Sequence, residues 1–99
     1  GAALSWAIAA AVGILERGGS PEEADDALDE ALPEAVPPEL GERARAESER
    51  ALSPFRARMD AAAFRATLRR AVADRLRRAL DLPRIALTRS PGAPGDPRG

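Results

Sequence analysis

Apolar and polar positions recur along this chain with a period of about 3.6 residues, which predicts helices throughout and no strand of useful length. Residues 2–15 carry no charge. Leu4, Ile8, Ala11, Val12 and Leu15 share one stripe, with Trp6 and Ile14 outside it. A helix apolar nearly all round is expected to be central, with neighbours on several sides. Ala3, Ala7 and Ala11 repeat a small-xxx-small spacing, read here as close helix packing rather than a membrane dimer face. The run falls short of the ~20 residues that span a bilayer and lacks the positive start of a signal peptide. Gly18-Gly19 ends it.

Ser20-Pro21-Glu22-Glu23 predicts a second helix start, with Ser20 as N-cap, Pro21 at the first helical position and Glu23 closing a capping box. Ala24, Ala27, Leu28, Ala31 and Leu32 then form an apolar stripe, and Glu22, Glu23, Asp25, Asp26, Asp29 and Glu30 a solvated acidic face. Pro33 and Pro37-Pro38 bracket a connector over 33–38. A third helix, 39–52, has a thin stripe (Leu40, Ala44, Ala51) and i, i+4 pairs at Glu39–Arg43, Arg43–Glu47 and Arg45–Glu49.

Ser53-Pro54 predicts the start of a long fourth helix, 54–81, with Asp60 as a second cap where it can break. Its stripe is Phe64, Leu68, Ala71, Val72, Leu76 and Ala79, with Arg69, Arg70, Arg77 and Arg78 outside. Leu82-Pro83 stops it. Ile85-Ala86-Leu87 is expected to pack back, and 88–99 reads as a flexible Pro/Gly tail or linker. The fold class is therefore all-α, a small three- or four-helix bundle with a long C-terminal helix and a flexible tail. Residues 1–87 form the single domain. Opening on Gly1, the chain is expected to be a processed form or part of a longer polypeptide.

Composition changes the picture in two ways. Of 99 residues, 23 are Ala and only 21 are large and apolar, so the core is thin and association with a partner is expected. His, Cys, Tyr, Lys, Asn and Gln are absent. No thiolate, no zinc or haem ligand pair and no group titrating near neutrality remains, which argues against an enzyme, a metal or a cofactor. The missing types other than Cys have A-centred codons that do not begin with G, so a GC-rich bacterial gene accounts for them. The all-Arg cations are for that reason weak evidence of nucleic-acid binding.

Charge is segregated. Residues 1–50 hold twelve acids and four Arg; residues 51–99 hold eleven Arg and four acids. The acidic face of 22–30 is expected to neutralise the basic face of 56–78. Where these faces stay open, Arg65, Arg69, Arg70, Arg75, Arg77 and Arg78 are the candidate partner-binding residues. Arg75 breaks the pattern by falling inside the stripe. It is expected to extend its head to solvent or pair with an acid of the second helix; the sharper reading has it anchor a partner carboxylate or phosphate.

Asp25-Asp26-Ala27-Leu28-Asp29 spells the DDxxD magnesium-diphosphate motif of terpenoid synthases and prenyltransferases. Those enzymes need a large helical cavity and a second acidic site, which so short a chain lacks. Two overlapping PxxP spacings in the tail, Pro91–Pro94 and Pro94–Pro97, have no flanking Arg at the usual place, and Ser90 is a candidate phosphorylation site.

The expected function is thus a non-catalytic, cytoplasmic interaction or regulatory module, an adaptor or assembly domain. Its expected partner is another protein or a second copy of itself, with no small-molecule substrate and no membrane. The alternative is a nucleic-acid-binding protein using the Arg-rich last helix. A membrane role requires apolar residues ahead of Gly1.

Overall fold

The computed structural model describes residues 2–88, the Thr88 side chain excepted; Thr88, expected to open the tail, ends a short helix instead, and the rest of that tail, 89–99, with its PxxP spacings and Ser90, lies outside the described residues. The described chain is all-α. It comprises α1 (Ala2–Glu16), α2 (Pro21–Ala35), α3 (Pro38–Leu52), a 3-10 turn over Ser53–Arg58, α4 (Ala61–Leu80) and the short α5 (Ile85–Thr88).

Local chemistry sets most of these limits. Gly18 adopts φ 88°, and Gly18 and Gly19 donate back to the Leu15 and Ile14 carbonyls at 3.1 and 2.8 Å, closing α1. A Cβ on Gly19 would stand 2.5 Å from Ile14 Cγ2, so only glycine fits there. The expected capping box opens α2: Glu23 N donates to Ser20 Oγ at 3.0 Å and Ser20 N to Glu23 Oε1 at 2.8 Å. The fourth helix breaks at Asp60, whose Oδ1 accepts from Ala63 N at 2.8 Å. Asp81 ends α4 in the left-handed region, with Leu82 N donating to the Arg77 carbonyl at 2.8 Å.

Three expectations fail. α2 continues through Pro33 to Ala35, because a proline so close to the helix end removes only one backbone hydrogen bond. The long helix is not the last one described: Ser53-Pro54 starts a 3-10 turn instead, and α5 follows α4. α1 is peripheral rather than central, packing on α2 and burying only Ala7 and Ala11.

The centre belongs to α2, which packs against α1, α4 and α5, while α3 reaches the core chiefly through α4. Ala24, Leu28, Leu32, Val36, Ala44, Phe64, Leu68, Val72 and Leu76 fill it. Leu32 and Leu76 are completely buried. Leu76→Ala is expected to cost about 2–5 kcal/mol in urea unfolding, whereas Val12→Ala on the exposed side of α1 costs less than about 0.5 kcal/mol. Equal losses would contradict this placement of the core.

Candidate functional site

The most concentrated chemistry in the fold is a charged cluster where α2, α4 and residues 82–88 meet. Asp25 and Asp29 stand one turn apart on α2 and point inward, against the expected solvated acidic face. Arg77 lies between them with 4% of its side chain exposed. Its Nε donates to Asp29 Oδ1 at 2.8 Å and its Nη2 to the Asp25 carbonyl at 3.2 Å, while Nη2 forms an ion pair with Asp25 Oδ1 at 3.0 Å. Its Nη1 donates to the Pro83 carbonyl at 3.1 Å.

Arg84 completes the cluster, donating through Nη1 to Asp29 Oδ2 at 2.8 Å and through Nη2 to Asp74 Oδ1. Asp25 also accepts from Ile85 N at 2.8 Å and Ala86 N at 2.9 Å, capping the open amides of α5 from a distant helix. Burial pushes the Asp74 carboxyl upward. The Arg84 hydrogen bond and charge outweigh it, with help from Arg70, and hold Asp74 below its ordinary 3.8. Burial likewise pulls Arg84 down, and its bonds to Asp74 and Asp29 more than reverse this.

Every polar side chain in this cluster has a partner inside the fold, so the cluster fastens the end of the chain rather than presenting a group to a ligand. The DDxxD carboxylates do not converge: Asp25 and Asp29 face in while Asp26 faces solvent.

The candidate residues are dispersed. Arg77 is withdrawn from any partner, because burial is affordable for a guanidinium only where carboxylates and carbonyls satisfy it. Arg75 donates to Ser48 Oγ at 3.0 Å and lies 3.9 Å from Glu47, so it pairs with α3 and not with the second helix as expected. Arg70 pairs with Asp74 on its own helix at 3.4 Å. Arg65, Arg69 and Arg78 are exposed and make no ion pair among the described residues. Arg69 and Arg70 share a cleft of about 340 Å³ with Asp26, Asp29 and Glu30; Arg65 and Arg69 line a second, of about 300 Å³, with Glu30 and Glu34.

Sequence reasoning also missed Arg84 and the outer half of α1. Trp6 is 76% exposed and Val12 42%, flanked by the exposed Ala9 and Ala10, with no charge before Glu16. Beside Trp6, a groove of about 510 Å³ between α1 and α2 is lined by Ala3, Ala10, Ala31, Glu34 and Ala35. No protein-family model, no curated protein and no solved structure matches this chain.

Arg77→Met strands two buried carboxylates and is expected to cost about 3–5 kcal/mol in urea unfolding, against less than about 1 kcal/mol for Arg70→Ala at the exposed pair. Similar losses would show that Arg77 is not the buried tie described. Because Asp74 titrates lower folded than unfolded, its stabilising contribution is complete above its unfolded value and is lost as pH falls through and below 3.8. Asp74→Asn is therefore expected to flatten the acid limb of the stability–pH curve. An unchanged slope there would contradict the assignment.

Proposed function

We propose that this chain is a non-catalytic helical interaction module that meets its partner through the outer half of α1. The observation that carries the reading is Trp6, three-quarters exposed on the outer face of α1, a helix with no charge before Glu16. Tryptophan in solvent is costly, and contiguous exposed apolar surface marks contact sites. The reading treats α1 to α4 as a small bundle, with α4 as its long helix and the 82–88 segment clasped onto it by Arg77 and Arg84. A thin core agrees with a domain stabilised by association. The lack of His, Cys, Lys and Tyr agrees with a role without catalysis. No described helix is long and apolar enough to cross a membrane, and the same reading has the module work in the cytoplasm.

Arg65, Arg69 and Arg78, exposed on one helix without ion pairs among the described residues, favour a second reading as a nucleic-acid binder. The acids Asp26, Glu30 and Glu34 along the same clefts weigh against it, since they repel phosphate. Binding to random-sequence duplex at about 50 mM salt that collapses by about 200 mM would support this reading, and no binding at the lower salt eliminates it.

For the first reading, a photo-crosslinking amino acid is placed at position 6 in cells expressing the chain, with position 22 on α2 as an exposed control. A discrete protein adduct at position 6 and none at position 22 is the expected result. No adduct at position 6, or equal labelling at both positions, contradicts it.

A further inference from the structure

Resting on the α1 reading, we propose that the partner of α1 is a second copy of this chain, docked antiparallel, α1 on α1, across a two-fold axis near Ala9. Each Arg17 is then held between the partner's Trp6 and the partner's Glu34.

Shape supplies the first argument. In an antiparallel pair centred on Ala9, a residue three places before the centre faces the level three places after it. Trp6 therefore arrives at the level of Val12 and Gly13, where the exposed Ala9 and Ala10 leave room for an indole beside the guanidinium that covers Gly13. The large residue of one copy meets the small residues of the other, twice by symmetry, as an isologous contact requires.

Charge supplies the second. Arg17, just past the end of α1, folds back along the helix: a methyl group on Gly13 would lie 3.2 Å from Arg17 Nη1. Its guanidinium thus stands at the Gly13 level, where the partner's indole arrives. Arg17 is exposed and makes no ion pair among the described residues. Glu34 is also exposed and without an ion pair there, and it lines the same groove as Trp6, Ala3 and Ala10. The cation and the acid lie toward opposite ends of α1.

A two-fold axis in the interface plane and perpendicular to α1 exchanges those ends while keeping the lateral side. It therefore carries Arg17 into the partner's groove, where the indole face and the carboxylate both attract a guanidinium. An acid alone on this face would suit any basic partner. An acid and a cation disposed about one centre suit a copy of the same surface.

The contact is small. A helix of 15 residues is about 22 Å long, and one such pair buries less than the ~1,200 Å² of stable interfaces, so the dimer dissociates on dilution.

The test is sedimentation of the full chain as wild type, Arg17→Glu, Glu34→Arg and an equimolar mixture of the two variants. Either variant alone sets like charges against each other at both symmetric sites. The mixture restores opposite charges at both, one pair reversed and one native. Both residues are exposed, so helix content by circular dichroism should stay unchanged.

Wild type is expected to pass from monomer to dimer with concentration, each variant to associate at least about tenfold more weakly, and the mixture to recover most of that loss. Wild type monomeric at every concentration, variants as strong as wild type, or a mixture no stronger than its components each overturns the proposal. A position-6 adduct to a different protein, with wild type monomeric, overturns the second copy and leaves the α1 reading standing. No adduct at position 6 removes the α1 reading itself.

Discussion

Arg77 is the one side chain whose burial the arrangement of the other elements depends on. A guanidinium stripped of water is tolerable only with its N–H groups engaged, and here two carboxylates and two carbonyls engage them. Those acceptors come from α2 and from residue 83, so satisfying one cation fixes α4 against α2 and folds the segment after α4 back over both. The same acids then serve twice more. Asp29 holds Arg84, and Asp25 caps the amides that open α5. Only four residues long, α5 is held by that cap and by its packing on α2.

This tie shapes what the surface has left to offer. With Asp25 and Asp29 turned inward, the outward acids beyond the first turn of α2 are Asp26, Glu30 and Glu34, lining clefts that also hold Arg65 and Arg69. The segregated charge of the two chain halves is thereby brought together on one side of the molecule, partly as buried pairs and partly as facing rows. α1 has no share in the tie. It packs on the core through the buried Ala7 and Ala11 and the half-buried Leu4, Ile8, Ile14 and Leu15, and keeps its largest side chain in water. The fold has one well-knit flank and one uncovered apolar flank.

Much of the local structure was legible because its causes are local. The capping box at Ser20, the glycine pair at 18–19 and the cap at Asp60 each depend on residues within one turn, and each element boundary fell there. Arg77 was not legible, because a single stripe drawn for α4 assumes one neighbour along its whole length. Phe64, Leu68 and Val72 face such a neighbour, but over the last turns burial widens to Ala73 and Arg77, where residues 82–88 cover a second side. The available signal was Asp25 and Asp29, four apart beside the buried Ala24 and Leu28. The position of α1 failed for the opposite reason. Hydrophobicity all round predicts neighbours all round, yet in the described chain only α2 is there to supply one.

Trp6 is the sole tryptophan of the chain, so its fluorescence reports on the outer half of α1 alone. The most direct measurement is acrylamide quenching of that fluorescence over a wide range of protein concentration. An indole freely quenched when dilute and progressively shielded as the protein is concentrated is what this account predicts. An indole equally accessible at every concentration would contradict it.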